Sequence, residues 1–225
     1  MIRTENISKH FGGIHALRSV SITCHNGQVT ALIGPNGSGK STLVNVLTGL
    51  IAKDAGSVTF DGTVGRTFQD SRLWGHMTVY ETLLMSIGTK TPLRSLFVFR
   101  ENRARVEELL SRVGLLPYQN TQARHLSYGQ RKLLEIARAL GTNATTLLLD
   151  EPFAGLFPEM VQVVKDIIKT EKNLGKAIVL VEHDMSVIRE LADYAYVLDG
   201  GELIAEGAVE VVLANDAVVT AYLGK

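Results

Sequence analysis

The chain of 225 residues has a single cysteine, no excess of charge of either sign and no long apolar run. Cys24 has no partner for a disulfide within the chain, so we expect a buried thiol and a reducing cytosol. Because 23 basic residues balance 23 acidic ones, net charge gives no reason to expect binding to nucleic acid or to anionic lipid. With 45% hydrophobic and 20% charged residues, the composition is that of an ordinary globular protein.

No apolar run approaches the roughly 18 residues that a membrane-spanning helix needs. The first residues, MIRTENISKHFGG, contain no apolar segment of the kind that signal peptides carry. We therefore expect contact with a membrane only through a partner protein. The sequence also lacks repeats, low-complexity tracts and Pro/Ser-rich linkers, so we expect a single domain over residues 1–225.

Short, wholly apolar segments alternate with helical patterns along most of the chain. QVTALIG, TTLLLDE and KAIVLVEHD each predict a buried strand, and together they indicate an α/β fold with a mostly parallel sheet covered on both faces. Asp61-Gly62 and Gly200-Gly201 stand between alternating segments and predict two hairpins in a smaller antiparallel part. The helical pattern of about residues 70–140 predicts a helical subdomain inserted between the two halves of the core.

A glycine-rich loop follows the first of these strands. Its sequence, GPNGSGKS, fits the phosphate-binding P-loop pattern G-x-x-x-x-G-K-[ST]. The glycines let backbone N–H groups face phosphate oxygens, Lys40 adds positive charge at the β- and γ-phosphates, and the Ser41 hydroxyl is a ligand for Mg²⁺. The alternative, a glycine-rich turn without a ligand, is disfavoured because a strand precedes the loop and a helix follows it. The predicted ATP-binding residues of this loop are Gly34, Pro35, Asn36, Gly37, Ser38, Gly39, Lys40, Ser41 and Thr42.

Two acids end the strand LLLDE. Downstream of a P-loop, Asp150 at a strand end is placed to hold Mg²⁺, as in the second motif of P-loop ATPases. Glu151 beside it is the predicted catalytic group, which orients the attacking water or accepts its proton. Taken alone the pattern is weak, because strands often end in acids. The upstream P-loop makes it specific.

The stretch LSYGQ begins an amphipathic helix. Ser127 and Gln130 form a capping box, which stabilises a helix by about 1 kcal/mol and is a purely structural explanation. A helix start with small residues is also suited to an anion. Leu133, Ile136, Ala137 and Leu140 are predicted to face the core.

The order of P-loop, LSYGQ and LLLDEP resembles the ATP-binding subunit of ABC transporters, whose signature is LSGGQ. The resemblance covers essentially the whole chain. It implies a two-lobed ATPase that uses ATP and Mg²⁺ and pairs head to tail with a second ATPase subunit. The signature residues Ser127, Tyr128, Gly129 and Gln130 would then contact ATP held by the partner. KHFGGIHAL, GRTFQDSRLWGHMTVYETLL and LSYGQRKLLEIARAL are similar, more narrowly, to importer ATPases for branched-chain amino acids and for urea or amides.

Three further residues take their expected roles from the resemblance. Phe11 resembles the aromatic residue that stacks on adenine, with a hydrophobic contact at a strand end as the alternative. Gln69 resembles the glutamine that joins the Mg²⁺ and water site to the helical lobe, so the predicted Mg²⁺ ligands are Ser41, Gln69 and Asp150. His183 resembles the histidine that contacts the γ-phosphate and positions Glu151, whereas a lone histidine at a strand end is usually only solvated.

Three features depart from the family pattern or fall outside it. Phe157 stands where relatives have a polar residue that crosses the dimer interface, so it either packs on the partner or indicates pairing with a different ATPase. Between Asp61 and Arg66 the chain is shorter than is typical, which predicts a trimmed antiparallel lobe. Trp74 belongs either to the docking surface for the membrane subunit or to the buried core.

The resemblance implies an ATPase that drives an importer for branched-chain or other hydrophobic amino acids or amides. Integral membrane permease subunits are the expected partners, and the inner face of the cell membrane is the expected location. Two alternatives remain: the ATPase of a lipopolysaccharide-type exporter, and a soluble ABC ATPase that assists assembly. A nucleotide-binding regulator without hydrolysis is disfavoured because Glu151 and His183 are both present.

Overall fold

The structure, a computed structural model, describes residues 1–68, 73–87, 96–216, 218 and 220, with the backbone alone for residues 96–101. Its strands are β1 Ile2–Phe11, β2 Ile14–Val20, β3 Thr23–Cys24, β4 Val29–Ile33, β5 Ala55–Phe60, β6 Val64–Arg66, β7 Thr146–Asp150, β8 Ala177–Val181, β9 Tyr194–Asp199 and β10 Glu202–Ala208. Its α-helices are α1 Lys40–Leu47, α2 Val79–Ile87, α3 Leu96–Arg112, α4 Tyr128–Gly141, α5 Pro158–Asn173, α6 Met185–Leu191 and α7 Val209–Leu213.

The main sheet has the strand order β10-β9-β4-β8-β7-β6. β4, β7 and β8 are buried along their whole length, as their largely apolar sequences predicted. The strands from β9 to β6 pair in parallel, and β10 runs antiparallel to β9. Parallel strands end at one edge of a sheet, where α/β proteins bind ligands. This edge collects the residues that follow β4, β7 and β8.

A second sheet is antiparallel and has β1 paired with β2, β3 and β5. Helix α1 packs between this sheet and the main sheet. Leu43 of α1 belongs to one apolar cluster with Ile7 and Leu17 of the antiparallel sheet and with Leu148 and Val179 of the main sheet. The helix that begins in the P-loop is therefore anchored on both sides.

The segment Asp61-Gly62 does not form a hairpin, so that prediction was wrong. β5 pairs with β1 in the antiparallel sheet, whereas β6 pairs in parallel with β7 in the main sheet. The Thr145 hydroxyl fixes this crossing, because it donates to the carbonyl oxygen of Asp61 at 3.0 Å and accepts from the N–H of Thr63 at 3.2 Å. Gly62 has φ +100°, and a Cβ there would lie 2.4 Å from the Thr145 hydroxyl oxygen. The pairing of β6 with β7 decides where the chain goes after Gly62. The preference of Asp-Gly for a turn allows this change of direction but does not select the partner strand.

The second predicted hairpin is confirmed, but it belongs to the main sheet and not to the smaller antiparallel one. β9 and β10 pair directly on either side of Gly200 and Gly201, whose φ angles are +54° and +85°. A two-residue turn of type I′ needs positive φ at both positions, which glycine adopts without strain. Because β9 pairs with the buried β4, its hairpin partner β10 extends the same sheet.

Helices α2, α3 and α4 occupy the region with the helical pattern and pack against one another. Leu133, Ile136, Ala137 and Leu140 of α4 are all buried, as their spacing predicted. Cys24 is buried as well, and burial raises the pKa of its thiol to about 12, so the thiol is neutral at physiological pH. Within the described ranges, every helix is too short or too polar to cross a bilayer.

Candidate nucleotide-binding and hydrolysis site

The P-loop connects β4 to α1, and two of its glycines admit no other residue. Gly34 has φ +152°, and a Cβ there would lie 2.1 Å from the carbonyl oxygen of Leu198. Gly39 has φ +105°, and its Cβ would lie 2.5 Å from the carbonyl oxygen of Ala16. The loop is thus packed closely between β9 and β2. The P-loop pattern has glycine at these two positions because any side chain would clash with the backbone of those strands.

Lys40 points back into the loop. Its Nζ donates to the carbonyl oxygens of Gly34 at 2.7 Å and Pro35 at 2.9 Å. Burial lowers the pKa of the ammonium group, and the carboxylates of Glu151 and Asp150 act in the opposite direction. The cation is therefore held near two carboxylates, in a loop whose geometry is that of a phosphate site.

A cleft of about 440 Å³ opens over the P-loop, within the range of about 300–1,000 Å³ that small-molecule sites occupy. A larger groove of about 680 Å³ lies between the end of α1 and β5, but its described lining includes neither Lys40 nor Glu151. Of these two cavities, the P-loop cleft is the one whose described lining combines a cation, Lys40, with a carboxylate, Glu151. Its lining residues are Ile14, His15, Ala16, Asn36, Gly37, Ser38, Gly39, Lys40, Ser41, Thr42, Glu151 and Gly200.

Phe11, predicted to stack on adenine, lies at the end of β1 opposite Ile14 of β2. Its ring is about half exposed, so it is not a buried hydrophobic contact at the strand end. Lys9 Nζ lies 5.3 Å from the ring centre. Ile14, whose side chain is 72% exposed, lines the cleft, whereas Phe11 is absent from the described lining. Sequence reasoning missed Ile14, because an apolar residue beside a turn carries no distinctive signal. The role of Phe11 stays a prediction.

Asp150 ends β7 with its side chain almost fully buried. Burial raises the pKa of its carboxyl, and the guanidinium of Arg66, whose Nη2 lies 3.5 Å from Oδ2, opposes this shift in part. The same guanidinium donates from Nη1 to Oδ1 of Asn45 on α1 at 2.8 Å and to Oγ1 of Thr48, the residue that follows α1, at 3.0 Å. Arg66 therefore connects the helix of the P-loop to Asp150. The sequence offers no signal for this contact, since the two residues lie far apart along the chain.

The chemistry of Asp150 and Ser41 fits Mg²⁺. This ion prefers oxygen ligands and is usually held by one or two carboxylates together with substrate phosphates and water. Asp150 is a buried carboxylate with a raised pKa, which a second cation would stabilise in its charged form. The Ser41 hydroxyl lies exposed in the first turn of α1, in the cleft lining. Gln69, the third predicted ligand, falls outside the residues that the structure describes.

Glu151 lines the cleft, and His183 is in contact with it. Nε2 of His183 is 3.1 Å from Oε1 of Glu151. Glu151 has φ +47°, which is uncommon for a residue with a side chain and is found mostly where the surrounding structure requires it. Its N–H donates to the carbonyl oxygen of Val181 at 2.9 Å. The histidine is therefore in contact with the predicted catalytic acid and is not merely solvated.

The signature residues form the predicted capping box. The Ser127 hydroxyl accepts from the N–H of Gln130 at 3.2 Å, and the Gln130 side chain accepts from the N–H of Ser127 at 2.9 Å. Gly129 is buried, and a Cβ there would lie 2.6 Å from Met160 Sδ. Tyr128 packs over Gly155, which leaves its ring 46% exposed. The structural explanation of this motif is therefore confirmed, and none of these signature residues appears in the described lining of the chain's own cleft.

Two large apolar side chains proposed for interfaces are exposed. The side chain of Trp74 is 54% exposed, which rules out the alternative of a buried core tryptophan. The guanidinium carbon of Arg138 lies 5.5 Å from the centre of the Trp74 ring. Phe157 directly precedes α5 and is 68% exposed. Both side chains are available to a partner.

The P-loop between a buried strand and a helix, with Asp150 and Glu151 at the end of a strand of the same sheet, defines a P-loop ATPase. The sequence model of the family described as ABC transporter matches residues 17–154. The chain belongs to this family, and its activity is ATP hydrolysis.

Two relatives with named transport systems are similar to this chain over its whole length. The chain is 36% identical to the probable branched-chain amino acid transport ATP-binding protein LivG of Methanocaldococcus jannaschii, over 100% of this chain and 98% of that one. It is 29% identical to the lipopolysaccharide export system ATP-binding protein LptB of Haemophilus influenzae, over 100% and 98%. The resemblance to importer ATPases is therefore closer than that to this exporter ATPase.

Solved structures support the same assignment. A crystal structure of the ADP conformation of an ATP-binding cassette from an ABC transporter has a TM-score of 0.83 and 37% identity, covering 100% of this chain and 99% of that one. A dimeric post-hydrolysis structure of another ATP-binding cassette, bound to ADP and phosphate, has a TM-score of 0.84 and 26% identity, covering 93% and 99%. The fold is that of an ABC ATPase, and relatives of this fold bind nucleotide.

Proposed function

We propose that this chain is the ATP-hydrolysing subunit of an importer for branched-chain or other hydrophobic amino acids or amides. The observation that carries the hydrolytic assignment is the 3.1 Å contact between His183 and Glu151, which lines the P-loop cleft. The solute class is supported by the name of the M. jannaschii relative, which is aligned over the whole of this chain.

The P-loop and Lys40 bind the phosphates of ATP, with backbone N–H groups and the ammonium charge stabilising the transferred phosphoryl group. Lys40 must then exchange its bonds to the carbonyl oxygens of Gly34 and Pro35 for phosphate oxygens. Asp150, Ser41 and Gln69 are the proposed ligands of Mg²⁺, which neutralises phosphate charge when it is bound. Phe11 contributes a stacking surface for adenine.

Glu151 orients the attacking water or accepts its proton, and His183 holds the Glu151 carboxylate in place. The water oxygen bonds to the γ-phosphorus as the bond to the β-phosphate oxygen breaks, which releases ADP and phosphate. The role of His183 is supported by its direct contact with Glu151, since the imidazole restricts the positions that the carboxylate can take.

A second ATPase subunit completes the site. Ser127 and Gly129 would contact the γ-phosphate bound by the partner, through the hydroxyl of Ser127 and through N–H groups of the first helical turn, which have no carbonyl partner within their helix. Tyr128 and Gln130 belong to the same contact. Because ATP then joins the two subunits, removal of its γ-phosphate lets them separate, and this drives the transport cycle.

The remaining partners are integral membrane permease subunits, which hold the chain at the inner face of the cell membrane. Trp74 is the proposed part of their docking surface, and its exposure supports this placement. Two other functions remain as alternatives, an exporter ATPase and a soluble assembly ATPase. The exporter is favoured by one observation, the full-length likeness to LptB.

The dimer is tested by the mass in solution of the purified Glu151→Gln chain, with and without ATP and Mg²⁺. A doubling of the mass with ATP is the expected result, because the variant retains the nucleotide that joins the subunits. A chain that binds ATP and stays monomeric contradicts a homodimer. Phe157→Asn in the same background is the matched variant, and it weakens the dimer if the exposed ring packs on the partner.

The transport assignment is tested by purification of the tagged chain from its own cells in mild detergent. Recovery of an integral membrane permease supports a transporter, whereas recovery of a soluble scaffold indicates the assembly ATPase. The purified complex is then assayed for ATP hydrolysis with leucine, with urea or with lipopolysaccharide added. Stimulation by leucine or urea supports the importer. Stimulation by lipopolysaccharide alone overturns it in favour of the exporter.

A further inference from the structure

Glu182 is a buried carboxylate at the hydrolysis site that neither the P-loop nor the signature motif includes. It follows β8 directly and precedes His183. Only 4% of its surface is exposed. A charged group this deeply buried needs hydrogen-bond partners, so its contacts indicate what it does.

Both oxygens of the Glu182 carboxylate accept backbone hydrogen bonds. The N–H of Phe153 donates to Oε1 at 3.2 Å, and the N–H of His183 donates to Oε2 at 3.2 Å. Phe153 lies in the segment that begins with Glu151, and His183 is the residue that contacts Glu151. One side chain therefore connects the two segments that carry the hydrolytic pair.

The Glu182 carboxylate connects the two segments just beyond the point where the backbone pairing of β7 and β8 ends. β7 and β8 pair as far as Asp150 and Val181, and the N–H of Glu151 adds one more bond to the carbonyl oxygen of Val181. The left-handed conformation of Glu151 then turns the chain out of the strand direction. Beyond that residue, Glu182 continues the connection with its side chain.

This arrangement costs free energy. Burial raises the pKa of the Glu182 carboxyl, and the N–H groups of Phe153 and His183 offset part of that shift. Hydrogen bonds to an ionised acceptor are roughly twice as strong as neutral ones, so the charged form holds the two N–H groups more firmly than a neutral side chain would.

We propose that Glu182 is a positioning residue for ATP hydrolysis, which fixes the mutual distance of Glu151 and His183 through the N–H groups of Phe153 and His183. The inference rests on the roles proposed above for Glu151 and His183. Glu182 itself contacts neither the nucleotide nor the attacking water and acts through the backbone of these two segments.

Steady-state kinetics of two matched variants of the full chain test the proposal. Glu182→Gln keeps the length of the side chain but turns an amide NH₂ toward one of the two N–H donors. Glu182→Asp keeps the charge but is one methylene too short to reach both. For each we expect kcat to fall at least about tenfold, because small displacements of catalytic groups cost that much or more, with KM for ATP near the wild-type value. Unchanged kcat in both variants overturns the proposal, and loss in the Gln variant alone overturns it in favour of a charge effect.

Each variant is also combined with His183→Ala. Because the role proposed for Glu182 is to fix the distance between Glu151 and the imidazole of His183, we expect a Glu182 substitution to lower turnover by less than about twofold when His183 is already replaced by Ala. Additive losses overturn the proposal. A variant with only a structural defect behaves differently again: it loses thermal stability and ATP affinity, while kcat per nucleotide-binding molecule stays at the wild-type value.

Amide hydrogen exchange gives a readout that needs no hydrolysis. In the ¹⁵N-labelled full chain without nucleotide, we expect at least one of the N–H groups of Phe153 and His183, the one that faces the new amide NH₂, to exchange at least about tenfold faster in Glu182→Gln than in the wild type. The N–H of Leu180, within β8, serves as the internal control and keeps its rate. If Phe153 and His183 both keep their wild-type exchange rates in the variant, the proposal is overturned. Failure of the proposed function has a different signature, which is full turnover in Glu151→Gln.

Discussion

The carboxylate of Glu151 and the imidazole of His183 lie 3.1 Å apart, although the two residues follow different strands of the main sheet. The register of β7 and β8, which sets Asp150 opposite Val181, brings both residues to the same edge. The left-handed backbone of Glu151 then directs its chain away from the strand. A parallel sheet thus builds the hydrolytic pair from two strand ends.

Replacing Glu151 with Gln removes the group that orients or deprotonates water and leaves the P-loop intact. We expect turnover to fall at least about 100-fold, the lower end of what general acid–base catalysis contributes, while ATP affinity stays near that of the wild type. Phosphate release at saturating ATP and titration with a fluorescent ATP analogue measure the two quantities. Glu159→Gln, an exposed acid in the first turn of α5, is the control. Near-normal hydrolysis by Glu151→Gln would show that the assigned role is wrong.

Phe11→Ala removes the ring proposed to stack on adenine. Stacking of a base on an aromatic side chain contributes about 1–3 kcal/mol, so we expect KM for ATP to rise about tenfold with kcat unchanged. Thermal stability stays constant because the ring is half exposed. Ile14→Ala is the comparison, since Ile14 lines the cleft. If KM rises for Ile14→Ala but not for Phe11→Ala, then the adenine contact is to be assigned to Ile14 and not to Phe11.

Gly39→Ala and Gly37→Ala separate steric contact from backbone strain. Both glycines have positive φ, at +105° and +79°, but a Cβ on Gly39 would meet the carbonyl oxygen of Ala16, whereas one on Gly37 would meet open space. A left-handed conformation costs an L-residue about 1–2 kcal/mol, so we expect that loss for Gly37→Ala and a larger one for Gly39→Ala. Urea unfolding measures the difference. Equal losses for the two variants would contradict the steric account.

The buried carboxylate of Glu171 pairs with two partly exposed cations, Arg112 at 2.6 Å and Lys176 at 2.7 Å. Burial by itself would raise the pKa of Glu171, but the hydrogen bonds and charges of Lys176 and Arg112 outweigh burial and lower it. A carboxyl whose pKa is lower in the folded state adds stability above its unfolded pKa of about 4.3, and this stability is lost as pH falls through the folded pKa.

We therefore expect Glu171→Gln to lower the free energy of unfolding by about 3 kcal/mol near neutral pH, because it leaves two partly buried cations without the carboxylate that they share. The difference from the wild type should shrink as the pH falls below about 4, where the wild-type carboxyl is also protonated. Urea unfolding across this pH range measures it. Glu107→Gln breaks an exposed pair with Arg103 and is the matched control, with little loss expected because solvent screens exposed ion pairs. A difference that does not change with pH would contradict the assigned pKa direction.

Features set by neighbouring residues were predicted from the sequence. The three buried strands, the P-loop, the capping box of α4 and the turn at Gly200-Gly201 all depend on periodicity, on positive φ or on contacts within a few residues. These preferences act locally, so a single sequence carries them. The Asp61-Gly62 prediction failed for the converse reason, because the destination of the strand after it depends on β7.

Tertiary structure alone decided which distant groups meet. The contact of Arg66 with Asp150, the contribution of Ile14 to the cleft and the bond from the N–H of Phe153 to Glu182 each join residues from distant parts of the chain. Each of them depends on strand order and register. The sequence by itself determined the class of chemistry, because that requires particular residue types at short spacing. The folded sheet determined the partners of each catalytic group, because long-range pairing brings strand ends to one edge.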